Sequence, residues 1–325
     1  MRVQLSCVEP YGEVDTLRVL ITDPISEEGI RILEEAGLRV DSRTDLAAGQ
    51  LEEVVSPYEA LLVRSRTKVT EGVISAAANL RVIGRAGAGL DNIDVEAARK
   101  RGVKVVNSPE ASTNAVAELT IGLMIALARR LSWADASMKR GVWAKSELVG
   151  WELGGKTLGV IGFGRIGSRV AEIARALGLK VLAPEGHGDR SLMSRVGVEC
   201  VPLEVLLRRS NIVTIHVPLT SQTKHLLGSK ELEMMKDGSY LVNTSRGAVV
   251  DEKALLAALK SGRIVGAALD VFEAEPPTNR ELIAMPNVVC TPHIGGQTEE
   301  AQRMAAVVLS RKVIEALGLE SRLQR

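Results

Sequence analysis

Gly162-Phe163-Gly164-Arg165-Ile166-Gly167 is the stretch that decides the fold. A short apolar strand, Leu158–Ile161, leads into it. A helical run predicted from Ser168 to Leu177 follows, then a stop at Gly178 and a second strand, Lys180–Ala183, with the acid Glu185 just beyond. Strand, glycine turn, helix, strand, acid is the order that a dinucleotide-binding unit requires. The first glycine permits the tight turn, the second lets backbone approach a pyrophosphate, and the third lets helix pack on strand, while the acid stands at the distance of a ribose hydroxyl. The helix N-terminus presents unpaired N–H groups and a partial positive charge to phosphate. An ordinary glycine-rich turn would leave Glu185 unexplained.

The motif begins halfway along a chain of 325 residues, which is long enough for two domains. Upstream the pattern also alternates. Strand Arg18–Ile21 is followed by helix Ser26–Ala36, strand Ala60–Val63 by helix Thr70–Ala78, and strand Arg81–Ile83 by a glycine loop, helix Val95–Arg101 and strand Val103–Val106. Residues 1–16 read as a loose leader. A break falls at Asn107-Ser108-Pro109, and a helix from Thr113 to Leu131, apolar on nearly all faces, leads into the dinucleotide unit. Downstream the reading gives strands Ile212–Val217, Tyr240–Asn243, Ile264–Leu269 and Asn287–Cys290, with helices Asp251–Leu259 and Gln297–Leu317. Strands alternating with helices imply parallel sheets covered on both faces. The fold class expected is therefore α/β with two doubly wound domains.

Charge is balanced, with 41 Lys and Arg against 40 Asp and Glu, so no basic stripe points to nucleic acid. Cys7, Cys200 and Cys290 are odd in number and widely spaced. This argues against a disulfide framework or a zinc site and fits a reducing cytosol. The longest apolar run, near Leu119–Ala128, is too short for a membrane span and is bracketed by Glu118 and Arg129-Arg130.

Among the four histidines, His187 and His225 read as surface residues with no partner in view, and His216 as a structural residue ending a strand. His293 lies in Cys290-Thr291-Pro292-His293-Ile294-Gly295-Gly296, just past a strand's C-terminal end, which is the edge where ligands bind in open α/β sheets. Two other strand ends reach the same edge. One carries Asn243-Thr244-Ser245-Arg246. The other carries Asp270, Glu273 and Glu275 before two prolines. Arginine holds carboxylates bidentately, histidine moves protons near neutral pH, and a carboxylate on its far nitrogen fixes the tautomer. Beside a nicotinamide, such a set suits hydride transfer at a hydroxy-acid carbon.

With these segments the chain resembles the D-isomer-specific 2-hydroxyacid dehydrogenase family. The matching stretches are Leu62–Ser65, Gly84–Asp94, Ala117–Gly122, Gly162–Gly167, Val242–Asp251, Ala267–Phe272 and Thr291–Gly295, spanning the chain from Arg18 to Leu317. The resemblance implies a Rossmann NAD-binding domain, residues 108–297, inserted in a flavodoxin-like substrate domain formed by 1–107 and 298–325. It implies catalytic roles for Arg246, Glu275 and His293, selecting Glu275 over Glu273. Cofactor contacts are implied for Gly162, Gly164, Arg165, Ile166, Gly167, Glu185, Val217, Thr244, Ser245, Asp270 and Gly295. Substrate contacts are implied for Arg64, Ser65, Arg85, Ala86 and Gly87, the last two as a cradle of backbone N–H groups. NAD is the expected cofactor, and no metal is expected. Homodimerisation through the NAD-binding domains is expected, with the arm Ser132–Trp151 and its tryptophans Trp133, Trp143 and Trp151 at that interface. The Gly84–Asp94 loop points to 3-phosphoglycerate, oxidised at C2 in the first step of serine synthesis. The alternatives are reduction of glyoxylate or hydroxypyruvate and a non-enzymatic NAD-sensing scaffold. The chain's end at Arg325 leaves no room for the C-terminal regulatory domain of longer relatives, so a short form is expected.

Overall fold

Apolar residues on both faces of the central strands set the architecture. In β1 (Arg18–Ile21), Val19 and Ile21 pack with Leu33, Leu309 and Val313, whereas Leu20 packs on the opposite face with Leu61, Ile74 and Ile83. A strand buried on both faces belongs in a parallel sheet with helices on each side. The computed structural model describes residues 16–47, 49–185 and 190–322. The chain divides into two compact units, Met1–Ala111 with Gln302–Arg325, and Ser112–Ala301.

Unit 1 runs β1, α1 (Glu27–Glu35), β2 (Arg39–Ser42), α2 (Gln50–Val54), β3 (Ala60–Val63), α3 (Glu71–Ala76), β4 (Val82–Arg85), α4 (Val95–Lys100) and β5 (Lys104–Asn107). Its five parallel strands lie in the order β2-β1-β3-β4-β5, the flavodoxin-like winding. Strand β2 and helix α2 were absent from the sequence reading. β2 is an edge strand with one apolar residue, Val40, so it carries no buried-strand signal. The leader, including Cys7, lies outside the described residues.

Unit 2 runs α5 (Thr113–Arg129), α6 (Leu131–Lys139), β6 (Thr157–Ile161), α7 (Arg165–Ala176), β7 (Lys180–Pro184), α8 (Arg190–Val196), β8 (Glu199–Val201), α9 (Leu203–Arg209), β9 (Ile212–Ile215), α10 (Ser229–Met234), β10 (Ser239–Asn243), α11 (Glu252–Lys260), β11 (Ile264–Leu269), α12 (Arg280–Ile283) and β12 (Val288–Cys290). The seven parallel strands are ordered β12-β11-β10-β9-β6-β7-β8. Counted from β6, this is the Rossmann order with a seventh strand added. The helix expected to continue to Leu131 ends at Arg129. There Arg130 turns left-handed at φ 51°, and the Ala128 carbonyl accepts from Trp151 N–H at 2.9 Å instead of extending the helix.

The last helix, α13 (Glu299–Ala316), completes unit 1. Ala306 packs against Gly29 of α1 so closely that a Cβ on that glycine would stand 2.7 Å from the alanine's. Leu309 and Val313 cover Gly84 of β4, and buried Ser310 donates to the Gly29 carbonyl at 2.7 Å. No helix among the described residues is long and apolar enough to cross a membrane.

Candidate active site

The winding of unit 2 reverses between β6 and β9, and both the glycine turn and His216 lie there. Gly162 has φ 98°, and a Cβ on it would stand 2.5 Å from the His216 carbonyl oxygen. A Cβ on Gly167 would overlap the Gly162 carbonyl. These two glycines answer to the protein's own packing. Gly164 does not, because a Cβ there would meet nothing within 4 Å. Helix α7 begins directly after it, three residues earlier than the sequence pattern indicated. Its first hydrogen bond runs from Ser168 N–H to the Gly164 carbonyl at 2.9 Å. The N–H groups of Arg165, Ile166 and Gly167 make no hydrogen bond among the described residues. Unpaired N–H groups at a helix N-terminus, beside a glycine with open space over it, suit a pyrophosphate. Exposed Glu185, directly after β7, suits a ribose, so these residues fit a dinucleotide. His187 lies outside the described residues.

At the C-terminal ends of β10, β11 and β12 the loops carry the three expected catalytic residues. His293 Nδ1 lies 2.8 Å from Glu275 Oε2, and both side chains are about two-fifths exposed (42% and 40%). The other oxygen of Glu275 accepts from Phe272 N–H at 3.3 Å. Burial pushes the Glu275 carboxyl up. The hydrogen bond and charge of His293, the Phe272 N–H and the charge of Arg246 more than offset this, so it is held below the usual carboxylate range. Arg246 Nη1 donates to the Ser245 carbonyl at 2.7 Å. Gly247 brings this loop hard against the next one, since a Cβ on it would overlap the Phe272 backbone.

Buried polar residues shape these loops. Asn243, 1% exposed at the end of β10, donates to the Arg246 carbonyl at 2.9 Å and accepts from Ser245 N–H and Oγ. Asp270 is fully buried at the end of β11. Its carboxylate accepts from Thr291 Oγ1 at 2.6 Å, Ile294 N–H at 2.8 Å and Gly295 N–H at 2.9 Å. Its carbonyl accepts from His293 N–H at 2.8 Å. Asp270 therefore organises the histidine loop, a role the sequence reading did not give it. Thr244 shares a hydrogen bond of 2.9 Å with buried Thr120, and Val217 is half-buried after β9. The missed residues are Asn243 and Thr120. For Asn243 the usable signal was an amide ending an apolar strand on the ligand edge.

The other described histidines differ from each other. His216 pairs with Thr214 Oγ1 at 3.0 Å, and burial pushes its pKa down to about 3, so it stays neutral. His225, read as lacking a partner, has one: its Nε2 lies 3.2 Å from Glu273 Oε1, placed there by a left-handed backbone at φ 51°. Glu273 thus belongs to His225 and Glu275 to His293.

Arg64, Ser65, Arg85, Ala86 and Gly87 all lie in unit 1, and one expectation there fails. Ala86 N–H already donates to the Val63 carbonyl at 2.9 Å, and Gly87 N–H to Ser108 Oγ at 3.0 Å. They cannot form the cradle of N–H groups expected for a carboxylate. Arg85 is the last residue of β4 rather than a loop residue, and its guanidinium folds over Gly87. Arg64 is half-buried just past β3, with Nη1 3.3 Å from the Pro24 carbonyl.

Comparison with known proteins shows the family. Residues 121–295 match the family model described as D-isomer specific 2-hydroxyacid dehydrogenase, NAD binding domain. The chain is 47% identical over 302 residues to a D-3-phosphoglycerate dehydrogenase of Methanocaldococcus jannaschii, covering 93% of this chain but 57% of that protein. It is 45% identical to a hydroxypyruvate reductase of Thermotoga maritima, covering 93% of this chain and 99% of that one. The crystal structure of an Aquifex aeolicus D-lactate dehydrogenase complexed with NAD and lactic acid superposes with a TM-score of 0.83 at 31% identity, covering 94% and 97% of the two chains. The chain thus spans little more than half the length of several of the curated relatives it matches.

Proposed function

Because the chain belongs to the D-isomer specific 2-hydroxyacid dehydrogenases, we propose that it oxidises the C2 hydroxyl of D-3-phosphoglycerate to 3-phosphohydroxypyruvate. The observation that carries the chemistry is the 2.8 Å contact between His293 Nδ1 and Glu275. With Nδ1 held by the carboxylate, Nε2 is the nitrogen that faces a reacting group. Bound NAD supplies the acceptor for the C2 hydride. His293 takes the hydroxyl proton, Glu275 stabilises the imidazolium that results, and Arg246 offers its guanidinium to the carboxylate and to the oxygen becoming a carbonyl. Such a proton-transfer set also weighs against a non-enzymatic scaffold.

The relatives named D-3-phosphoglycerate dehydrogenase and the charge of the site support this choice of substrate. A phosphate adds roughly −2 near pH 7, more than one arginine answers, and Arg64 and Ser65 are proposed as further substrate contacts. A specific observation favours a second reading, since the match to the hydroxypyruvate reductase covers nearly all of that relative. Measuring kcat/KM for phosphohydroxypyruvate, hydroxypyruvate and glyoxylate separates the two. A strong preference for the phosphorylated acid is expected, and a preference for hydroxypyruvate or glyoxylate moves the assignment to the reductase.

The proposal includes a homodimer formed through unit 2. Trp151 packs on Tyr240, with ring centroids 4.8 Å apart and Nε1 donating to its hydroxyl at 2.9 Å, and Trp133 is half-buried against the same core. Trp143 stays 77% exposed, in a segment with exposed Leu131, Met138, Val142 and Val149. An apolar patch of this kind suits a second copy of the chain. A reducing cytosol is the compartment this reading implies.

A further inference from the structure

We infer that Asp23 and Asn92 are positioning residues that hold the loop Arg64–Thr67 in its substrate-binding form, an inference that rests on the proposed role of Arg64. The loop joins β3 to α3 and is gripped at its two ends from two sides. On one side is the Asp23 carboxylate, 2% exposed. Its Oδ2 accepts the N–H of Arg64 at 2.6 Å and the N–H of Thr67 at 3.2 Å, while Oδ1 accepts Arg66 Nε and Thr67 Oγ1, both at 2.9 Å. On the other side the Asn92 amide donates to the carbonyls of the same two residues, Arg64 at 2.7 Å and Thr67 at 2.6 Å. The Asn92 carbonyl also accepts from Val69 N–H at 2.8 Å, tying the loop to the Gly84–Asp94 segment.

Both backbone polar groups of residues 64 and 67 are therefore fixed, and the peptide N–H groups between them are not. The N–H groups of Ser65 and Arg66 make no hydrogen bond among the described residues. The two arginines divide in the same way. Arg66 gives its guanidinium to Asp23, to the Thr22 carbonyl at 2.6 Å and to the Thr44 carbonyl at 2.8 Å, so it braces the loop. Among the described residues the Arg64 guanidinium makes one hydrogen bond, the 3.3 Å contact with the Pro24 carbonyl. A loop needed only to join strand to helix does not require a desolvated carboxylate with four donors on it, because burying a charge is costly unless each oxygen is answered. A rigid frame around unengaged donors is what pre-organised binding of an anion requires.

The test is steady-state kinetics on Asn92→Ala, Asp23→Asn and Arg64→Ala, with Asn92→Ala also combined with Arg64→Ala, using 3-phosphoglycerate and NAD. Asparagine at 23 cannot present two acceptor oxygens, so one pair of donors would face an NH2 group. Asn92→Ala removes the opposite grip without altering charge and serves if Asp23→Asn fails to fold. Each clamp variant is expected to raise KM for the acid roughly ten- to hundredfold, since misplacing a binding group by about 1 Å costs on that order. The change in kcat should stay within about threefold, and KM for NAD should not move. Adding Asn92→Ala to Arg64→Ala should lower kcat/KM by less than the product of the two single losses, because the clamp acts in large part through Arg64. A wild-type KM in Asn92→Ala beside an impaired Arg64→Ala overturns the clamp alone, as does a double variant whose losses multiply. An unimpaired Arg64→Ala overturns the substrate role of Arg64, and the inference with it.

Discussion

His293 holds a left-handed backbone, φ 54°, which a residue bearing a Cβ adopts at a cost of about 1–3 kcal/mol. Asp270 opposes that cost with bonds to the N–H groups of residues 293, 294 and 295. Asparagine tolerates the left-handed region better than other side chains, so His293→Asn keeps the loop and removes the proton carrier. Turnover should fall ~10²–10⁴-fold while the Kd for NAD, read by fluorescence titration, stays near wild type. Glu275→Gln acts differently. The Glu275 carboxyl is held below the usual carboxylate range, so it is a carboxylate near neutral pH and can accept from His293 Nδ1. A neutral amide cannot balance the charge the ring takes up with the hydroxyl proton. In steady-state oxidation of the hydroxy acid, kcat of Glu275→Gln should fall at least about tenfold while KM for NAD stays near wild type. An unchanged kcat would show that Glu275 does not act on His293.

Elements were legible where burial wrote them into the sequence. β1, β3 and β11 run where their apolar runs predicted, because strands buried on both faces leave an unbroken signal. Edge strands such as β8, with three residues, leave none, and short helices such as α10 hide in polar text. Within the site, Arg246 and His293 stood out as chemistry-bearing side chains after strands, whereas Glu275 was one of three acids until the family resemblance selected it. The groups that shape the loops did not, since the partners of Asn243 beside Arg246, and of Asp23 and Asn92 around Arg64, are largely backbone N–H and carbonyl groups, which every residue has. The Ala86–Gly87 cradle was misread for the same reason: nothing local in the sequence says that Ser108 already takes the Gly87 N–H. The glycine turn yields a prediction at this scale. Gly164→Val should leave the melting temperature nearly unchanged and weaken NAD at least tenfold, because its side chain would enter only open space. Gly167→Ala should lower the melting temperature, because its Cβ would overlap the Gly162 carbonyl. Differential scanning fluorimetry with and without NAD reads both effects. Glu185 after β7 sets a second expectation, a kcat/KM for NAD well above that for NADP, since a carboxylate accepts from ribose hydroxyls and repels a 2′-phosphate. Equal values would refute that role.

Taken as a whole, the molecule joins two parallel sheets of different winding, and each winding follows from which strands are buried between which helices. The exposed apolar run from Leu131 to Val149 belongs to this scale. Trp143→Ser should shift the mass found by light scattering toward that of one chain, with little loss of melting temperature, since the side chain is 77% exposed in the single chain. A wild type that is already monomeric at micromolar concentration would dispose of the dimer. Helix α13 carries a further consequence, for synthesis on the ribosome. The first sheet is translated early, yet the face formed by Val19, Ile21, Leu62 and Val82 is covered by Leu309 and Val313, which emerge only after the whole of unit 2. The nascent chain therefore carries an unfinished apolar surface for as long as unit 2 takes to be made. Of the two units, the one that begins second is the first able to close, and the strands of the other wait for a helix that follows it.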